Sequence, residues 1–371
     1  MWSSRDRASA GLACVNASPA PCAFMLTLPQ VISLPPTPIH TCLGRPVDDR
    51  HHLPLMSAAP LTGVLYALAM LKCPPPAPWM EAWLAAAAAR MAAQMELVAG
   101  ATAAGTGEGL AAPGTSSQAG TVSGGRAGGD RRGAGFGPQE LSNCMYALGQ
   151  LGFDPGNDWM QRYCAAAGPL LLPPAGTAPP PPPPPLPMAA TSSHGTSTSR
   201  SAFTAQGLSQ MAWGFARLGF VPEPAFLASL LAAVRRALPD FTAQGLANTL
   251  WAAASLGLAP PPSWVAAAAA AALRLLPSCS AYDLSVVLWA LLRLGHTPGP
   301  DWVSAYLAAS YRQLPSASPE QAARMLWCCA AVGLPPPGDW VRRWLGCSYV
   351  KLLEAEPAAL TTMAYALAAL G

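Results

Sequence analysis

The chain has 371 residues, of which 52% are hydrophobic and only 11% charged, with a formal net charge of +3. So small a positive charge permits a nucleic-acid partner without requiring one. Its 42 prolines and 33 glycines are too many for a chain packed throughout, so part of it is expected to lack a core.

Residues 1–56 match no repeat. They are rich in Ser, Ala, Pro and Arg, and Asp6 is the only acid before Asp48. That composition fits an organelle transit peptide, or equally a low-complexity leader or a misplaced gene start. From Ser57 onward one sentence recurs. Trp213, Trp251, Trp289, Trp327 and Tyr365 stand 38 positions apart (251 − 213 and so on). A second aromatic, behind a Pro-rich corner, follows at Phe226, Trp264, Trp302 and Trp340. Tyr66 with Trp79, and Tyr146 with Trp159, fit the same ruler. A fixed period of this size predicts an all-α solenoid of tandem helix–turn–helix repeats.

The first copy occupies 57–98 and the second 137–172. Between them, 99–136 is Gly-, Ala- and Ser-rich, and 173–202 carries seven successive prolines, Pro179 to Pro185, and a Ser/Thr tract. Both are expected to be disordered insertions, tolerable because loop length adds closure entropy only logarithmically. Limited proteolysis is expected to nick them first. Copies three to six and a truncated seventh fill 203–371, which makes the chain look like a fragment or a shortened gene model.

Each copy reads as two helices. Ser57, Thr204, Thr242, Ser280 and Ser318 are candidate N-caps. Pro138, Pro319 and Pro357 suit the first helical position. Gly152, Gly219, Gly257, Gly295 and Gly333 mark the end of helix one through the left-handed conformation, and the following prolines turn the chain. Helix two is expected to end near Leu238, Leu276, Leu314 and Leu352.

In copy three, Leu208, Met211, Ala212, Phe215 and Leu218 form one apolar stripe, with Trp213 flanking it as a packing residue. On the opposite face, at 100° per residue, Gln206, Gln210 and Arg217 point within about 40° of one another. Positions equivalent to Gln210 hold Asn143, Asn248, Val286, Arg324 and Thr362. Those equivalent to Gln206 include Gln139, Gln244, Tyr282, Glu320 and Ala358. Those equivalent to Arg217 include Gln150, Ser255, Arg293, Ala331 and Ala369. Amides and guanidinium groups read base edges, so Asn143, Gln210, Asn248, Val286, Arg324 and Thr362 are candidate base readers, assisted by Gln206, Gln244, Arg217 and Arg293. The alternative is a solvated face whose identities drift. If the row faces out, exchanging Arg324 for Asn is expected to change stability by less than about 0.5 kcal/mol. Arg236, Arg274 and Arg312, 38 apart (274 − 236 and 312 − 274), with Lys351 one place off, form a second row near the end of helix two. They read either as phosphate contacts or as cations complementing helix C-termini.

Ten cysteines are scattered without a CxxC or a Cys/His cluster of metal spacing. Cys144 and Cys329 read as small apolar helix residues in a reducing compartment. Of the histidines, His40, His51, His52 and His194 lie outside the repeats and His296 follows a helix-ending glycine. No phosphate loop, HExxH or nucleophile elbow occurs. No enzyme, cofactor or metal is expected. The longest uncharged helical run, Trp264 to Leu273, is too short to span a bilayer.

The pattern L-x-x-x-x-W-A-x-x-x-L-G-x-x-P-P-P-x-W is clearest in LANTLWAAASLGLAPPPSW (246–264) and LSVVLWALLRLGHTPGPDW (284–302). It resembles the octotricopeptide repeat family, over 57–98, 137–172 and 203–371. The resemblance implies an α-solenoid in the chloroplast, or alternatively the mitochondrion, of a green alga. It implies binding of single-stranded RNA in transcript stability, processing, splicing or translation, alongside other proteins of a ribonucleoprotein complex. Phe226 replaces the corner Trp, and Ala322 replaces the leading Leu, in their copies. The competing reading is a protein-binding solenoid without RNA binding.

Overall fold

The structure is a computed structural model that describes residues 51–104, 135–172 and 202–370. Residues 1–50, most of both insertions, and their expected disorder lie outside the described residues. The described chain is all-α, with no strand among the described residues. No helix among them is long and apolar enough to cross a membrane.

Each of the six full copies contributes two helices. These are α1 (Ala58–Met70) and α2 (Ala77–Ala104) in copy one, and α3 (Pro138–Leu151) and α4 (Asn157–Leu171) in copy two. Copies three and four hold α5 (Ala205–Leu218), α6 (Pro224–Ala237), α7 (Ala243–Ser255) and α8 (Pro262–Leu275). Copies five and six hold α9 (Ala281–Arg293), α10 (Pro300–Gln313), α11 (Pro319–Val332) and α12 (Gly338–Tyr349). Copy seven holds α13 (Pro357–Leu370). They divide between two compact units, with copies one and two in one unit and Thr204 onward in the other.

The expected punctuation forms. Thr204 and Thr242 Oγ1 accept from the N–H groups of Gly207 and Gly245, both at 3.1 Å. Ser280 and Ser318 do the same for Asp283 and Gln321, whose side chains accept back from the cap N–H groups in capping boxes. Ser57 makes no such bond. The five helix-ending glycines have φ between 63° and 76°. Copy one has Lys72 at that place, at φ 54°.

Packing runs in series. Within the second unit the first helices α5, α7, α9, α11 and α13 each lie against the next. Small buried residues on them, such as Ala212, Ala247, Ala290 and Ala323, let the backbones approach closely. The corner aromatics are buried from copy two onward, and the tryptophans among them bind one second helix to the one before. Trp159, Trp264 and Trp302 Nε1 donate to the carbonyls of Leu84, Leu231 and Ala269 at 3.2, 2.8 and 3.0 Å. Trp340 donates instead to Ser310 Oγ. Phe226 has no N–H to donate and packs edge-on against Phe215 at 5.9 Å.

A second aromatic row, four residues further on, bonds helix two to helix one of its own copy. Trp83 and Trp344 Nε1 and Tyr163 Oη donate to the carbonyls of Leu61, Ala322 and Leu141. Leu230 and Ala268 replace it in copies three and four.

Two boundaries differ from the sequence reading, whereas the second helices of copies three to five end within one residue of Leu238, Leu276 and Leu314, as expected. The second helices of copies three to six are followed by short 3-10 turns at Leu238–Asp240, Leu276–Ser278, Leu314–Ser316 and Leu352–Glu354. A matching turn, Leu53–Leu55, lies in the expected leader: Leu53 is buried, and Arg90 donates to the Pro54 carbonyl at 3.1 Å. Copy one therefore begins before Ser57. The first insertion is also narrower than 99–136. Helix α2 continues to Ala104, and the buried Phe136 exchanges two hydrogen bonds with Gln94, at 2.7 and 3.0 Å.

Candidate nucleic-acid interface

The first-helix layer carries the candidate readers. Positions of the Gln206, Gln210 and Arg217 rows fall on one helical stripe, and the central aromatic falls between them. Gln206, Gln210, Trp213 and Arg217 are spaced i, i+4, i+7, i+11, which is one face at 100° per residue. Trp213 thus belongs to the polar stripe rather than flanking the apolar one. The same angular arithmetic would have placed it there from the sequence.

The structure sets these aromatics among polar partners. Arg217 lies over the Trp213 ring at 5.6 Å. Gln150 Nε2 donates to Tyr146 Oη at 2.8 Å, and the Tyr66 and Tyr146 rings are 6.0 Å apart. Trp213 and Trp327 are half-buried, whereas Trp251 and Trp289 are buried. The Trp289 Nε1–H and the Gln210 Oε1 are both buried without a partner.

Gln206, Gln244, Arg217 and Arg293 are exposed, and Asn143, Gln210 and Asn248 are half-buried. Gln139 Nε2 donates to Asn143 Oδ1 at 3.0 Å, tying two stripe residues together. Three members of the row depart from an outward-facing reader. Val286 is 0% exposed and offers no surface. Helices α7 and α11 pack against α9 and cover it. Thr362 spends its hydroxyl proton on the Ala358 carbonyl, one turn back, at 2.9 Å. Arg324 is half-buried, and burial lowers its pKa, so its exchange is not an ordinary surface change.

Tyr282 and Arg324 lie within Coulombic reach of one another, and the charge of Arg217, two first helices away, also reaches Tyr282. Burial raises the Tyr282 phenol, and the two guanidinium groups oppose that rise. Stripe residues from α5, α9 and α11 therefore share one electrostatic neighbourhood.

The arginine row sits on the other layer. Arg236, Arg274 and Arg312 are exposed on the last turns of α6, α8 and α10. Lys351 does not extend this row. Its ammonium donates to the Pro315 and Ala317 carbonyls at 2.9 and 2.7 Å, clamping the preceding 3-10 turn as Arg90 clamps Pro54. No group of three or more His, Cys, Asp or Glu among the described residues is placed to hold a metal ion. Comparison with family models and with curated proteins finds no match to this chain.

Proposed function

We propose that the first-helix stripe binds single-stranded RNA with sequence selectivity, in organellar transcript processing, stability or translation. One observation carries this reading: in copies two and three a half-buried ring, Tyr146 or Trp213, stands between amide or guanidinium positions on a single stripe, Gln244 and Asn248 hold the same places in copy four, and within each unit successive first helices lie side by side. Rings stack on bases of any identity. Amides and guanidinium groups discriminate base edges, which RNA presents best when single-stranded. Asn143, Gln210 and Asn248, with Gln206, Gln244, Arg217 and Arg293, are the readers in this proposal, and Val286 takes no part. Arg236, Arg274 and Arg312 contact phosphates.

Selection from randomised RNA, with wild type and Asn248→Ala side by side, tests it. The variant is expected to relax preference at one position by about 1–3 kcal/mol, taking duplex readout as a guide. Identical motifs from both proteins, or changes at several positions together, would refute reading by this row.

A protein-binding solenoid has one observation in its favour. Tyr349, Val350, Leu353 and Tyr365, in the last two copies, expose 54% or more of their surface. Binding that is steep in salt favours RNA, whereas an apolar protein interface is nearly salt-independent.

A further inference from the structure

We propose that copies one and two together hold one base of the bound strand, laid over Gly63 against the Tyr66 ring with its edge toward Asn143. The inference rests on the RNA-binding reading above and deepens it, because copy one brings no amide or cation of its own to the stripe. Its places there are Ala59, Gly63, Tyr66 and Met70. Gly63 stands in the middle of α1 and is exposed, and a Cβ built on it would meet nothing within 4 Å. Glycine is unfavourable inside a helix, and here no neighbouring side chain needs the room. Bare backbone is the surface that a flat ring can approach closely.

Two contacts bracket this opening and fix what faces it. On one side Thr62 Oγ1 and Cys144 Sγ are 3.3 Å apart, which joins α1 to α3 at the residues beside Gly63 and Asn143. On the other the Tyr66 and Tyr146 rings stand 6.0 Å apart, tilted by 34°. Gly63 and Asn143 therefore hold matching places on adjoining helices. A helical side chain leans toward the turn before it, so the Tyr66 ring lies over the turn that carries Gly63. Tyr66 is half-buried, a ring held in place yet reachable. Arg217 covers the equivalent ring of copy three, and burial withdraws those of copies four and five.

The polar side is oriented as well. Gln139 Nε2 donates to Asn143 Oδ1 at 3.0 Å, which leaves the Asn143 amide nitrogen to donate to a ligand. A donor suits the carbonyl edges of guanine and uracil, whereas adenine and cytosine present amino groups that are donors themselves. The stripe is uncharged in both copies, and Glu140 beside it is turned to the Gly137 N–H, from which it accepts at 3.0 Å. A phosphate would find no cation on this stripe. A neutral base finds a ring, a bare stretch of backbone and a fixed donor. The flanking places, Met70 and Gln150, are not aromatic, which favours a single base over a proline-rich segment that needs a row of rings.

The test measures binding of a randomised short single-stranded RNA pool across a salt series, with sequencing of the bound fraction. Tyr66→Ala is expected to weaken binding about five- to a hundredfold, as loss of base stacking does. Its logarithmic salt slope should stay unchanged, because no phosphate contact is lost. Gly63→Leu fills the opening and should weaken binding to a similar degree. Its melting temperature should nevertheless hold or rise, because leucine is the better helix former. Asn143→Asp keeps the acceptor for Gln139 and exchanges the donor for a second acceptor. Preference at one position should then move from guanine or uracil toward cytosine or adenine. Unchanged affinity in Gly63→Leu, a flattened slope in Tyr66→Ala, or an unmoved preference in Asn143→Asp would each overturn the proposal. So would Tyr66-dependent binding of a proline-rich peptide by a protein that ignores RNA. If the wild type binds no RNA, the RNA reading falls and this proposal with it; RNA binding indifferent to both Tyr66 and Gly63 sinks this proposal alone.

Discussion

Lys72 holds a backbone conformation that its own side chain disfavours. In five other copies the equivalent residue is glycine, and φ is positive in all six. The left-handed region costs a side-chain-bearing residue about 1–2 kcal/mol, while glycine adds unfolded-chain entropy of about 0.4–1 kcal/mol. Lys72 is exposed, so little packing is lost with its stem. Lys72→Gly is therefore expected to stabilise copy one by up to about 1 kcal/mol in thermal melts. A loss of stability would mean that the lysine stem packs more than its exposure suggests.

The cysteines make a second prediction at this scale. Burial pushes the thiols of Cys144, Cys279 and Cys329 up to about 12, and raises that of Cys328 well above its ordinary value. For Cys144 the bond with Thr62 Oγ1, at 3.3 Å, opposes the rise without cancelling it. The thiolate is the reactive species, so these four should resist alkylation in the native protein. Cys73, Cys164 and Cys347, only half-buried, should react, as mass mapping after a short exposure would reveal. A folded pKa above the unfolded one gives stability that is complete below about 9 and is lost as pH rises toward about 12. Melting at alkaline pH should show that decline, and replacing Cys144 by Ala should lessen it.

At the scale of the element, the corner tryptophans join one repeat to the next. Trp302 donates to the Ala269 carbonyl of the preceding second helix and stacks on Tyr306, with ring centres 5.7 Å apart. Trp302→Phe keeps most of the apolar contact and removes the hydrogen bond, so it should destabilise by about 0.5–1.5 kcal/mol. Trp302→Ala also leaves a cavity and should cost about 3–5 kcal/mol. Equal losses for the two variants in denaturant titrations would show that the N–H bond, rather than the ring, carries the junction. Phe226 shows that the ring can pack without that bond.

At the scale of the whole molecule, the two kinds of polar row occupy different layers. The stripe lies on the first helices, and Arg236, Arg274 and Arg312 lie on the second, at C-terminal turns where the helix dipole alone would favour a cation. Changing all three to Gln separates the two roles. Phosphate contacts would flatten the salt dependence of RNA binding by about two units. A lowered melting temperature with the slope intact would leave the row as helix-end complements only.

The repeat period, the two helices per copy, their caps and their corners were all determined by the sequence itself. Each is local: a Thr or Ser bonds three residues ahead, a glycine supplies one dihedral angle, and a proline blocks one turn. The Leu-Pro pair at 53–54 carried the same kind of signal, matching Leu238-Pro239, Leu276-Pro277 and Leu314-Pro315. The stripe uniting Trp213 with Gln206, Gln210 and Arg217 was legible too, from angle alone. What the tertiary structure decided was depth. Val286 and Arg324 occupy the same place in the repeat as Gln210, yet one is sealed and the other half-buried, with Glu320 within Coulombic reach. Helical periodicity specifies the direction in which a side chain leaves its own helix. How much of it reaches solvent, and which charges stand near it, depends on the side chains of neighbouring helices, as far away in sequence as Arg217 is from Tyr282. Lys351 makes the same point: one residue of offset turned an expected surface cation inward, onto the carbonyls of Pro315 and Ala317.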